Sequence, residues 1–321
     1  MMKKGKFSIT EQGVNNYSGN HKIKVFVWMI GVLLIANTAL NPCTFFMSTL
    51  NGVTFFGNNE DSPSTSWPTN VWFIPATEDK HGYVYFGYNN GYPQGGMNDQ
   101  GLCFDGASTP PSKIQFSPDK KPAAFFLIDR IMEECSYVDQ VIEIVKTHRF
   151  NALKMQGQLL FADKKGDAAI VGGPDKNNDI DIIRKKGKFM VCTNFFPNNP
   201  QKGGYPCRRN ETATRMLKEN PEPSVENFRS ILKAVSVSRT SYSNIFDLSN
   251  QIIFIYHFHN FSNVVKMKLE DELKEGPHAY RIPRLFSSSN RDEGLKELNE
   301  EREKGRISRR IPEFIAYKGG N

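Results

Sequence analysis

The sequence predicts an α+β protein built as stacked layers. Strand-like and helix-like segments come in separate runs, not in strict alternation, which favours layered packing over a wound parallel sheet. A chain of 321 residues that is 39% hydrophobic and 12% aromatic suits one large globular domain or two small ones. A strong hairpin signal opens the ordered part: the apolar run Cys43-Thr44-Phe45-Phe46 turns at Asn51-Gly52 and returns through Val53-Thr54-Phe55-Phe56-Gly57.

Along the chain, Trp72-Phe73-Ile74-Pro75 and residues 83–88 read as strands, and Leu102-Cys103-Phe104-Asp105-Gly106 as another after a turn at Gly95-Gly96-Met97-Asn98. Residues 123–134 and 137–147 read as helices. The second carries Val138, Val141, Ile142 and Val145 at helical intervals, with Ser136 placed to cap it. Strands resume at 157–163, 168–172 and 189–192. Helices at 211–218 and 225–235 and strands at 240–246 and 252–258 complete the pattern. From Ser287 the chain is polar, and residues 292–304 read as a solvated helix in a loosely packed tail.

The net charge of +7 suggests nucleic acid until it is divided. Residues 1–42 hold five Lys and one Glu, and the rest carries 36 basic and 33 acidic residues, a net of +3. Nucleic acid is therefore not an expected partner. Lys22 and Lys24 precede the apolar run 25–36, which has the length of an export signal and is short for a membrane span; an uncleaved anchor is the alternative. Ala36 to Ala39 supplies small residues for cleavage. The expected divisions are 1–42 as signal peptide and short propeptide, 43–286 as the domain, and 287–321 as a charged extension. Secretion or a periplasmic location follows, with no stable membrane association once the leader is gone. Five cysteines imply no disulfide framework, although Cys192 and Cys207 are a possible pair.

Cys43 is the residue to explain. If everything before it were removed, one residue would carry both a thiol, titrating near about 8.5, and an α-amine, titrating near about 8. A base of suitable strength would then be fixed beside a strong nucleophile. Asp61, at the end of the returning strand, is within reach of that amine by topology.

The segments Cys43-Thr44-x-Phe46, Gly57-Asn58-Asn59-Glu60-Asp61, Gly96-Met97-Asn98-Asp99-Gln100-Gly101-Leu102 and Thr193-Asn194 occur in the order seen in choloylglycine hydrolases and penicillin V acylases. Tyr205-Pro206-Cys207-Arg208-Arg209-Asn210, Tyr242-Ser243-Asn244 and Tyr256-His257-Phe258-His259-Asn260 resemble the related acyl-coenzyme A:6-aminopenicillanic acid acyltransferase-like group. The resemblance covers roughly 43–286. It implies an N-terminal-nucleophile hydrolase, a four-layer αββα sandwich of two antiparallel sheets flanked by helices, and linear amides of N-acyl compounds as substrates. It also implies roles: Cys43 as nucleophile with its α-amine as base, Asp61 bonded to the N-terminal residue, Asn194 facing the oxyanion, and Arg209 near the nucleophile favouring the thiolate, with Arg208 as the rival. The family often has Arg where this chain has Asn58, and the choloylglycine enzymes carry Asn or Tyr near Ser108. Asn58 and Ser108 are thus candidates for substrate contact, and Trp72, from the aromatic run 67–92, for an acyl pocket.

His257-x-His259 on a strand would aim both rings one way, but no third ligand is evident, so no metal is expected, and no cofactor. A homo-oligomer is compatible with the sequence. Two alternatives to hydrolysis stay open: an acyltransferase of the same fold passing the acyl group to an amine, and a non-catalytic binding protein.

Overall fold

The computed structural model describes residues 43–304 apart from 63, 89–91, 124–126 and 154–156. The expected leader and the last part of the tail lie outside the described residues. In chain order the elements are β1 Thr44–Leu50, β2 Val53–Asp61, β3 Thr69–Ile74, β4 Tyr83–Tyr88, β5 Pro93–Asn98, β6 Leu102–Ala107, α1 Leu127–Glu134 and α2 Val138–Thr147. Then come β7 Gln158–Asp163, β8 Ala168–Pro174, β9 Ile180–Arg184, β10 Phe189–Cys192, α3 Arg208–Glu219, α4 Val225–Val235, β11 Thr240–Asp247 and β12 Ile252–His257. The last are β13 Val265–Lys268, α5 Leu269–Lys274, β14 His278–Arg281 and α6 Asn290–Glu303.

Two sheets form, one in the order β10-β1-β2-β11-β12-β13 and one in the order β14-β3-β4-β5-β6-β7-β8-β9. Every neighbouring pair is antiparallel. Phe45, Met47, Phe56 and Phe246 of the first sheet meet Val71, Phe73, Val84, Phe86 and Met97 of the second in one core. α1 and α2 bury Leu127, Ile131, Val138, Val141 and Val145 against Tyr83, Tyr85, Phe104 and Phe161 on the outer face of the second sheet. α3 and α4 bury Ala213, Leu217, Phe228, Ile231 and Leu232 against Phe46, Phe55 and Ile245 on the outer face of the first. The result is the αββα sandwich, and each layer follows from residue period: two along strands, about 3.6 along helices.

The β1–β2 hairpin forms where the sequence marks it. Asn51 and Gly52 both take positive φ, 52° and 79°, the geometry a two-residue turn needs to match strand twist. Elsewhere the structure departs from expectation. The Gly95-Gly96 stretch is not a turn but strand β5, and the chain turns instead at residues 99–101, where Gly101 has a φ of 77°. The glycines serve close packing: a Cβ at Gly95 would collide with the Asp105 carboxylate, and one at Gly96 with the Val84 carbonyl. Ser136 does not cap α2 with its hydroxyl. That hydroxyl meets His81, and Gln140 accepts the Ser136 and Tyr137 N–H groups instead. Cys192 and Cys207 are free thiols. α6 is polar, as expected, but tied down: Asn290 bonds His257, Glu293 accepts from Asn260, and Lys233 pairs with Glu297.

Candidate active site

Strand alternation decides what faces Cys43. On β1, Phe45 and Met47 point between the sheets, and so does Cys43 just before the strand. On β2, Phe56 points inward, so Asn58 and Glu60 follow it, while Asn59 faces outward and bonds the Leu232 carbonyl of α4 at 2.8 Å. The same rule puts Tyr88 of β4 in line with Val84 and Phe86, Asp105 of β6 in line with Cys103 and Ala107, and Tyr242 and Asn244 of β11 in line with Phe246. The space between the sheets is therefore apolar at the hairpin end and polar at the Cys43 end.

Sγ of Cys43 lies 3.8 Å from Oε2 of Glu60 and 4.0 Å from the Asp61 carbonyl oxygen. Tyr88 donates its hydroxyl to Oε1 of Glu60 at 2.7 Å, and Asn58 donates to Asn244 at 3.3 Å. Cys43 is 2% exposed, Glu60 and Asp105 1% each, and Asp61 fully buried. Burial pushes the Cys43 thiol well above its ordinary range, and the neighbouring carboxylates Glu60 and Asp61 push the same way. Burial also raises the Glu60 carboxyl to about 7 against its hydrogen bonds from Tyr88, Cys43 and Asn58. It raises Asp61 to about 8, opposed chiefly by Arg209, and holds Asp105 well above the carboxylate range with Glu60 adding to the effect.

Asp61 closes β2 beside a bulge in β11. Its Oδ1 accepts from Thr240 at 2.5 Å, while Oδ2 is buried with no partner among the described residues. Arg209, one residue into α3, reaches back across the sheet edge. Its Nη1 donates to the Cys43 carbonyl oxygen at 2.6 Å and to Thr44 Oγ1 at 2.5 Å, and Nη2 donates to Asn194 Oδ1 at 2.8 Å. Asn194 follows β10, the neighbour of β1, and donates its amide to the Ser108 carbonyl at 2.8 Å. The structure thus brings together Cys43, Asp61, Asn194, Arg209, Asn58 and the Ser108 backbone.

Arg209 holds the backbone of Cys43, while burial and the carboxylates Glu60 and Asp61 raise the thiol. Two expectations change. Trp72 does not join the site: it alternates with the inward Val71 and Phe73, so its ring packs on the outer face of the second sheet with Tyr83 and Tyr85. His257 and His259 do not share a strand face, because β12 ends at His257 and Phe258 takes a φ of 58°. No group of three or more His, Cys, Asp or Glu among the described residues is placed to hold a metal ion. Glu60, Tyr88, Asp105 and Tyr242 were not singled out by sequence. The available signal was the inward series Phe56, Asn58, Glu60, in which apolar positions give way to polar ones at strand period.

The sequence profile described as acyl-coenzyme A:6-aminopenicillanic acid acyl-transferase matches residues 48–267, from within β1 to within β13. No curated protein matches the sequence significantly. A variant of conjugated bile acid hydrolase from Clostridium perfringens superposes with a TM-score of 0.57 at 17% identity, covering 74% of this chain and 96% of that one. Penicillin V acylase from Agrobacterium tumefaciens superposes with a TM-score of 0.57 at 18% identity, covering 74% of this chain and 90% of that one. At such identities the likeness speaks for the fold, that of N-terminal-nucleophile hydrolases, while the profile spans more than half of the sequence. The chain belongs to the acyl-coenzyme A:6-aminopenicillanic acid acyl-transferase family.

Proposed function

We propose that this protein is an exported cysteine amidohydrolase that cleaves the C–N bond of a linear N-acyl amide, with Cys43 as its N-terminal residue after removal of residues 1–42. The observation that carries the reading is the convergence on Cys43: Arg209 fixes its carbonyl, Asn194 is held beside it, and Asp61 ends the paired strand with an unused carboxylate oxygen. A free α-ammonium is a donor of the kind that this oxygen lacks. The similarity to a bile acid hydrolase and a penicillin V acylase supports the same chemistry.

In this mechanism the thiol is not stored as a thiolate, since burial and carboxylates oppose that. The α-amine takes the proton from Sγ as sulfur attacks the acyl carbon. A tetrahedral oxyanion forms, with the Asn194 amide as a donor toward it. The C–N bond breaks, the proton passes to the leaving amine, and water then hydrolyses the thioester. Arg209 keeps the nucleophile's backbone in register with Asn194.

A second reading, transfer of the acyl group to an amine, is favoured by the family description. Assay of the purified mature protein on a chromogenic N-acyl amide, with and without 6-aminopenicillanic acid, tests both. Release of free acid that depends on Cys43 supports hydrolysis, acylated amine supports transfer, and neither product would reject the proposal.

A further inference from the structure

The space between the sheets at Cys43 holds more negative groups than its chemistry requires. Asp61 lies toward the outer edge, where Arg209 and Arg239 oppose its charge. Glu60 and Asp105 lie inside, contributed by opposite sheets, and the charge of Glu60 raises Asp105. Glu60 receives hydrogen bonds from Tyr88, Cys43 and Asn58, and Asp105 from the Gly106 N–H at 2.8 Å. Burial is the strongest influence on both, and their hydrogen bonds offset it only in part. Two buried carboxyls are costly as anions without a cation to meet them.

A separate observation points to a missing partner. The Tyr242 hydroxyl, on a fully buried residue whose surroundings include Glu60, Asp105 and Cys43, has no hydrogen-bond partner among the described residues. Oδ1 of the fully buried Asn58, beside Glu60, has none among them either. Buried polar atoms are nearly always satisfied. The unused groups here are acceptors and a hydroxyl, and a protonated amine offers donors to all of them.

We propose that the substrate is an N-acylated amine carrying a second, protonated amino group, and that Glu60 and Asp105, with Tyr242 and Asn58, form the subsite for that ammonium. This rests on the amidohydrolase reading and names its substrate class. An N-acyl diamine fits: the acyl carbon meets Sγ while the free ammonium lies between the two sheets. An anionic leaving group, such as an amino acid carboxylate, is repelled from the same space. Because burial keeps Glu60 and Asp105 protonated, ammonium binding must release protons. Affinity therefore rises with pH through neutrality; the other titrating groups that face these carboxyls are Asp61, also raised by burial, and the Cys43, Cys103 and Cys192 thiols and Tyr88 and Tyr242 hydroxyls, all pushed up by burial.

The test uses the purified mature protein and three matched N-hexanoyl substrates: of butanediamine, of pentylamine and of aminobutyrate. The expected order of kcat/KM is diamine, then neutral amine, then carboxylate, with steps of about tenfold or more for a charge met or opposed. Glu60→Gln and Asp105→Asn should each collapse the diamine preference to within about threefold. Protection of Cys43 against iodoacetamide by the corresponding hexanesulfonamides, which cannot donate an acyl group, reads binding without hydrolysis. Stronger protection by the diamine sulfonamide, lost in both variants, supports the subsite even if no amide is cleaved, a result that would reject only the amidohydrolase reading. Equal turnover and equal protection for diamine and neutral compounds, or a preference that survives in both folded variants, overturns the proposal.

Discussion

Arg209 grips the main chain of Cys43: its guanidinium donates to the Cys43 carbonyl oxygen at 2.6 Å, and the same group fixes Asn194 at 2.8 Å. One side chain therefore sets the spacing between Cys43 and Asn194, the proposed nucleophile and oxyanion donor. Arg209→Lys keeps the charge but loses the fork that serves both partners. Turnover should fall by about tenfold or more, because misplacing reacting groups by a fraction of an ångström is expensive. The rate of Cys43 alkylation at neutral pH should change by less than about threefold, since Lys keeps the positive charge and the burial and carboxylates that raise the thiol stay in place. Parallel kinetics and alkylation on the variant check both parts.

Asn194 is held at both ends of its amide, by Arg209 on the oxygen and by the Ser108 carbonyl on the nitrogen. Asn194→Ala should lower kcat by roughly a hundredfold with little change in KM, the loss typical of an oxyanion donor. Asn194→Asp should be at least as damaging: it keeps a partner for Arg209 but loses the N–H groups and repels the oxyanion. Retention of more than about a third of wild-type kcat in the Ala variant would assign Asn194 a purely structural role.

Stability should fall as pH rises from about 4 to about 8. Glu60 is raised to about 7 and Asp61 to about 8 in the folded chain, so the folded state binds more protons than the unfolded state through this interval. The stabilisation is complete below the ordinary carboxylate range and is lost as pH passes the folded values. Thermal denaturation should give a lower Tm at pH 8 than at pH 5, and Glu60→Gln should flatten the dependence. A Tm that rises across this interval would contradict the assignment.

Phe228 is the anchor of α4 on the first sheet. Its ring centroid lies 4.9 Å from that of Phe46, the two rings tilted by 36°, and its edge lies 3.0 Å from where a Cβ of Gly57 would stand. Phe228→Ala should cost about 3–5 kcal/mol. Gly57→Ala should also destabilise, because a Cβ there meets Phe228 and Phe46 together. Denaturant titration of both variants measures the two effects.

Much of this was legible in the sequence because the signals were local. Asn51-Gly52 fixed the hairpin, Val138, Val141, Ile142 and Val145 fixed a helix face, and the order of the motifs picked out Cys43, Asp61, Asn194 and Arg209, which the fold brings together. What stayed hidden depended on which face each strand presents. Trp72 and Phe73 are neighbours in sequence and lie on opposite sides of a sheet. Glu60 and Asp105 read as strand-end polar residues until the two sheets close over them. Gly95-Gly96 carries turn chemistry, but its glycines are there because Asp105 and Val84 leave no room for a side chain. The weak edge strands β9, β13 and β14 are short and mixed in polarity, so pairing rather than pattern defines them.

The central claim is that Cys43 works as a free N-terminal residue. The most direct measurement is the intact mass and N-terminal sequence of the same preparation in which amide cleavage is assayed. The account predicts a chain beginning at Cys43, with activity proportional to the fraction so processed. Full activity in a chain that still carries Pro42 would contradict it, because the acylated amide nitrogen of Cys43 cannot take the proton from the thiol.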